Sequence, residues 1–158
     1  MKKKLIMVGS LLIITLMVAG IVRTIYETHK ANKKNEKYGI TVLAEDVTST
    51  SATFILECAG VKSEDTLCVD DTMGVIEKRT LFGWREVKHL RGGSFFVDTP
   101  KQCSIQYGVI QHRIDLEWEY YYGKLTKGTY RMKKGIYRAR PIMSNEFVDY
   151  CYLTFQVK

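Results

Sequence analysis

IDLEWEYYYGKLTKGTYRMKK, residues Ile114 to Lys134, decides the fold. Ile114, Leu116, Trp118 and Tyr120 alternate with Asp115, Glu117, Glu119 and Tyr121. A period of two predicts a half-buried strand over 114–121, with one apolar face and one mostly acidic face. The segment Gly123 to Gly128 reads as a corner. Beyond it Tyr130 and Met132 alternate with Thr129, Arg131 and Lys133, which predicts a second strand over 129–134. Leu125, Gly128 and Tyr130 stand in the order of a tyrosine corner, in which a Tyr near the start of a late sandwich strand hydrogen-bonds back across the corner through its OH. The stretch points to a β-sandwich and to no particular chemistry.

Working outward, the same alternation recurs in short runs. Ile40 and Val42 open a strand that runs through Val47, and Thr48-Ser49-Thr50-Ser51 is a turn cluster. Ala52, Phe54, Leu56 and Cys58 form the inward positions of the next strand. Residues 60–72 read as a loop. Val75–Arg79 and Trp84–His89 read as a hairpin joined across Thr80-Leu81-Phe82-Gly83. Phe95–Val97 and Cys103–Tyr107 read as short strands around Pro100. Residues 135–145 read as a connection, and Val148–Val157 as the last strand. Seven to nine short strands in about 120 residues, with no helical pattern among them, predict an all-β antiparallel sandwich.

Several of these runs resemble the bacterial immunoglobulin-like domains found on envelope proteins of Gram-positive gut bacteria. The resemblance rests on YGITVLAEDVTSTSATFIL (38–56), GVIEKRTLFGWREV (74–87), LEWEYYYGKLTKGTYRM (116–132) and YLTFQV (152–157). It implies an Ig-like β-sandwich over 38–158 and a surface or envelope setting. It implies no catalytic residues. The four cysteines depart from the family pattern.

The first 37 residues are of another kind. Lys2-Lys3-Lys4 precedes Leu5–Val22, which has no charged residue. About 18 residues at 1.5 Å each nearly cross a hydrocarbon core of roughly 30 Å. Residues 1–22 are therefore read as a single transmembrane helix and signal anchor. Ala19 and Gly20 are small, but Val18, Ile21 and Val22 give no clean cleavage site, so a released, secreted form is the alternative. The tight Lys cluster before the span favours an inside amino terminus and an extracytoplasmic domain. Residues 23–37 are polar and read as a juxtamembrane stalk, with His29 solvated. The formal net charge is +7. Most of the excess lies in this amino-terminal region, so nucleic acid is not an expected partner.

Cys58, Cys68, Cys103 and Cys151 are an even set in a chain read as exported, which favours disulfides. Cys58–Cys68 with Cys103–Cys151 is the simplest of the three pairings. No CxxC pair exists, and His89 and His112 stand alone, so no metal or other cofactor is expected. Asp115, Glu117 and Glu119 read as a solvated, salt-bridged sheet face, and Asp70-Asp71 as a turn. No nucleophile motif or phosphate-cradling loop is present, so no enzyme is expected. Exposed Tyr is favoured at interfaces, and Tyr121 and Tyr122 are the candidate interaction surface. The sequence thus points to a membrane-anchored, non-catalytic module for an envelope-protein or cell-wall partner. A secreted accessory or inhibitor protein is the alternative.

Overall fold

The computed structural model describes residues 2–58, 67–69, 73–90, 104–105, 111–138 and 146–158. For 2–8, 58, 67–68, 104–105 and 111–112 it describes the backbone alone. The order is α1 (Lys2–Lys37), β1 (Ile40–Glu45), β2 (Ser51–Cys58), β3 (Leu67–Val69), β4 (Val75–Thr80), β5 (Gly83–Glu86), β6 (Ser104–Ile105), β7 (Gln111–Glu117), α2 (Glu119–Tyr122), β8 (Gly128–Arg138) and β9 (Glu146–Val157). Strands β1-β2-β7 form one sheet. The other is ordered β5-β4-β8-β9, with β3 and β6 added beside the far half of β8. Every pairing is antiparallel.

The two sheets close over one core because each strand sends alternate residues inward. Ala52, Phe54 and Leu56 of β2 and Ile114 and Leu116 of β7 meet Ile76 of β4, Tyr130, Met132 and Ile136 of β8, and Leu153, Phe155 and Val157 of β9. Phe155 sits at the centre. Its ring meets Phe54 edge-on at 5.6 Å, Trp118 at 5.1 Å and Tyr130, stacked, at 5.6 Å. Alternation also turns Lys134 of β8 inward, and it is buried.

The deciding stretch departs from expectation at one place. Strand β7 stops at Glu117, and Trp118 begins a helical turn instead of continuing the strand. The reason is local. The Trp118 indole is fully buried, and its Nε1 donates to the Ser49 carbonyl at 2.9 Å. Its backbone N–H donates to Thr50 O and the Leu125 N–H donates to Ser49 O. These bonds tie the β1–β2 turn to the β7–β8 corner and pull the chain off the strand path. Across that corner the Tyr130 hydroxyl donates to Thr126 O at 2.7 Å. Leu125 is buried beside it and Gly128 adopts a positive φ of 155°.

Other boundaries also move. β8 runs on to Arg138, through Gly135, where a side chain would strike the Tyr137 ring. A short strand, β3, lies within the expected loop 60–72, and β6 lies within the expected strand 103–107. The expected strand 95–97 falls outside the described residues.

Two substitutions separate the core from the corner. Phe54→Ala removes a fully buried ring and is expected to cost about 3–5 kcal/mol. Tyr130→Phe keeps the ring and loses one hydrogen bond, for about 1 kcal/mol. Chemical unfolding of the detergent-solubilised chain measures both. Equal losses would contradict this division of roles.

Candidate functional site: the face covered by the amino-terminal helix

The most heavily furnished polar cluster is not the expected one. It lies on the outer face of the six-stranded sheet, under α1. This helix has 36 residues and is unbroken across the expected boundary at residue 22. Its mean hydropathy reaches 1.8 over its most apolar window, and it is the one described helix long and apolar enough to cross a membrane. A signal sequence has the same character.

The segment expected to be a stalk is instead packed onto the sheet, crossing from β5 to β9. Thr24 and Ala31 are buried. Gly20 is buried so closely against the hairpin that a methyl group there would collide with the Leu81 carbonyl oxygen. One turn on, Thr24 Oγ1 donates to Gly20 O at 2.9 Å. The Trp84 backbone N–H donates to Glu27 Oε2, and its Nε1 to Thr28 Oγ1, each at 3.3 Å. Near the helix end, Asn35 acts as an extra strand residue. Its Nδ2 donates to Tyr152 O at 2.9 Å, and its Oδ1 accepts from Tyr152 N at 3.0 Å. β9 is the border strand of its sheet, so Asn35 satisfies groups that an open edge leaves bare. His29 points away, exposed.

Beneath the helix a cation is held between two rings. Arg131 of β8 lies over Trp84 at 4.5 Å and over Tyr152 at 4.6 Å, and its Nε meets Glu77 Oε2 at 2.6 Å. The register explains the layout, since Glu77 directly faces Arg131 across the β4–β8 pair. A planar guanidinium stacks on both rings while its edge reaches the carboxylate, a geometry that lysine lacks. Burial raises the Tyr152 phenol above its ordinary value, so it stays neutral here.

The helix end carries an ion pair. Lys34 Nζ meets Asp149 Oδ1 at 2.5 Å, and the Tyr38 hydroxyl reaches Asp149 Oδ2 at 3.4 Å. Burial alone would raise the Asp149 carboxyl, but the Lys34 hydrogen bond, the Tyr150 amide and the lysine charges hold it below its ordinary value. The same bond raises Lys34. Glu27 behaves like Asp149: burial opposes ionisation, and the Arg23 hydrogen bond and Trp84 amide outweigh it.

The expected site residues lie elsewhere. Tyr122 is not a surface residue. It is only 6% exposed, and its hydroxyl donates to Gly74 O at 3.1 Å and accepts from Ile76 N at 3.4 Å. Tyr122 shares the inward parity of Leu116 and Trp118, and the helical turn after Trp118 keeps it inward while Tyr120 is swung out to solvent. Burial raises the Tyr122 phenol. Tyr121 is half-buried, against the His89 ring at 5.6 Å, and Tyr120 is the exposed one of the three. Asp115 accepts from Thr53 at 2.6 Å and from Arg113 at 3.2 Å, so this part of the acidic face is occupied by its neighbours. No group of carboxylates, histidines and cysteines able to hold a metal is found among the described residues.

Of the cysteines, Cys103 lies outside the described residues, as does Asp70-Asp71. Cys58 closes β2, Cys68 lies in β3, and Cys151 is buried in β9. β8 separates β3 from β9, and neighbouring strands lie about 4.8 Å apart. Cys68 and Cys151 are thus at least roughly 10 Å apart, too far for a bridge. Cys151 therefore does not pair with Cys68.

A second feature is a groove of about 550 Å³ between β1 and β9, the border strands of the two sheets. Ala44, Asp46, Val47, Thr129, Thr154 and Gln156 are among its lining residues. Comparison with family models, with curated proteins and with solved structures finds no match in any of the three.

The Asp149 contribution has a defined pH window. A depressed carboxyl stabilises above its ordinary value, near pH 4, and this is lost as pH falls through the folded value. Raised Lys34 stabilises below the ordinary lysine value and is lost only in strong base. Asp149→Asn is expected to lower the melting temperature of the full chain at pH 7, and the gap to wild type should close on acidification below pH 4. A gap independent of pH would show that the ion pair does not hold the helix.

Proposed function

We propose that this chain is a membrane-anchored, extracytoplasmic immunoglobulin-like domain that serves as a non-catalytic interaction module at the cell envelope. The strand order supports the domain reading. With β1, β2 and β7 as strands A, B and E, and β4, β5, β8 and β9 as C, C′, F and G, the two sheets carry the A-B-E and C′-C-F-G orders of that family. The Tyr130–Thr126 hydrogen bond lies at the E–F corner, where the family carries its tyrosine. β3 and β6 are additions to that plan.

The observation that carries the anchor reading is the continuity of α1. One helix holds both the uncharged span and the Thr24, Thr28, Lys34 and Asn35 contacts to the sheet. A polar linker would let the domain swing; a docked helix transmits the position of the membrane directly to the sandwich. The alternative, release by cleavage near residues 19–22, needs that segment extended in a peptidase. Here it is helical, and Gly20 is seated against Leu81.

The module reading favours the groove between β1 and β9 as the partner surface. Border strands offer backbone groups to an extended segment of an envelope protein, and the groove lies beside both. This surface replaces the tyrosine surface, since Tyr122 is a core residue.

Protease shaving of intact cells tests the reading. The expected result is loss of the domain, with a short membrane-retained fragment that contains the span. A fully protected domain would overturn the extracytoplasmic placement. Recovery of a mature chain beginning near residue 20 in the medium would establish the released form instead.

A further inference from the structure

The tip of the β4–β5 hairpin exposes two large apolar side chains, Leu81 at 56% and Phe82 at 51%. The turn itself is well formed. Thr80 pairs with Gly83, Thr80 Oγ1 donates to Gly83 O at 2.7 Å, and Gly83 supplies the positive φ of 105° that closes it. A polar pair would serve such a turn equally well, so the turn geometry does not call for Leu-Phe.

The position of the tip gives the reason. Gly20 touches the Leu81 carbonyl, and Gly20 lies inside the uncharged stretch that ends at Val22. At 1.5 Å per residue, the tip is level with a point about 3 Å before the end of the apolar span. On the helix at this height, Ile21, Val22, Ile25 and Tyr26 are exposed, so the apolar surface continues from the helix onto the hairpin. Around it stand three exposed arginines, Arg23, Arg79 and Arg85. Gly128 faces Val157, which brings exposed Lys127 and Lys158 to the same end of the sandwich. One carboxylate, Glu27, also reaches the turn, its Oε2 lying 3.2 Å from where a side chain on Gly83 would begin, and it is bound to Arg23 at 2.8 Å. An apolar tip with an excess of cations at its end of the sandwich, at the depth where a span leaves the hydrocarbon, matches the layered chemistry of a headgroup region.

We propose that Leu81 and Phe82 insert into the headgroup–acyl boundary of the bilayer that α1 spans, with Arg23, Arg79 and Arg85 against lipid phosphates. The domain then stands on the membrane by two contacts, the helix and the hairpin, with its β4–β5 end down. This rests on the anchor reading. It adds a lipid contact and an orientation that a span alone does not supply. The groove between β1 and β9 would then lie close to the membrane surface, since Thr129, Gln156 and Lys158 of its lining are at the β4–β5 end.

The test is Phe82→Trp in the full chain, reconstituted in nanodiscs of phosphatidylcholine and phosphatidylglycerol carrying nitroxide-labelled lipids. Wild type, with Trp84 and Trp118, is the blank. The added fluorescence is expected to be blue-shifted and quenched more by a label near the headgroup than by one deep in the acyl chain. A red, unquenched signal from a chain that resists carbonate extraction would overturn the hairpin contact and leave the anchor standing. Release of the chain by carbonate would instead remove the anchor reading, and the proposal with it. Quenching that vanishes at one chain per disc would overturn the lipid contact in favour of a second copy. As a second measurement, Leu81→Ser with Phe82→Ser should keep the chain in vesicles and speed trypsin cleavage at Arg79 and Arg85. Unchanged cleavage in a variant with wild-type circular dichroism would overturn the proposal independently.

Discussion

The seating of α1 on the outer face of the six-stranded sheet is the constraint from which the rest of the arrangement follows. A sandwich buries one face of each sheet against the other and leaves two faces outside. Here one of those faces carries Trp84, Arg131 and Tyr152, a group too apolar and too closely stacked to belong to a wet surface. Covering it with a helix removes the rings from water and leaves the guanidinium paired with Glu77. A buried cation without such partners would be strongly unfavourable. The helix also occupies part of the β9 border through Asn35, so one element both roofs the face and blunts an edge.

The helix meets opposite demands at its two ends. Past Lys4, its first half is uncharged and apolar all round, the character of a helix that could cross a membrane. Its second half must recognise a particular sheet, and does so almost entirely with polar atoms: Thr24, Glu27, Thr28, Lys34 and Asn35. Gly20 marks the change. The absence of a side chain there lets the backbone of the hairpin approach the helix, which no larger residue allows at that spacing. Close approach at one end and hydrogen bonds at the other fix the tilt of the sandwich on the helix.

This division explains what could be seen in the chain beforehand. The strands were legible because burial on one face imposes a period of two, seen in β1, β2, β7 and the second half of β9. The corner was legible because its turn and tyrosine are local. The docking of 23–37 was not, since a polar interface leaves no apolar period, and its residues read equally well as solvated. Asn35 and Lys34 find partners more than a hundred positions away, which no local pattern encodes. Tyr122 was misjudged for a different reason. Its parity with Leu116 and Trp118 already assigned it to the core. The residue that alternation misplaces is Tyr120, because the strand, expected to reach Tyr121, ends four residues early at Glu117, where the Trp118 indole bonds to Ser49. Gly135 misled similarly: it reads as a break, yet β8 passes through it because the Tyr137 ring fills the space a side chain would take.

A docked helix also bears on how such a module would work. A domain on a loose tether samples all orientations, and each binding event must select one. With the helix fixed to the sheet, orientational freedom is lost on folding rather than on binding, which reduces the entropic cost of capture. On the anchor reading, the groove between β1 and β9 would keep a constant height and direction relative to the membrane plane, and a partner in or near the same membrane would meet it in one geometry. A partner arriving freely from solution gains less, because its own orientation is unrestricted. On the anchor reading, the rigidity of the α1 seat would therefore favour partners that are themselves membrane-bound.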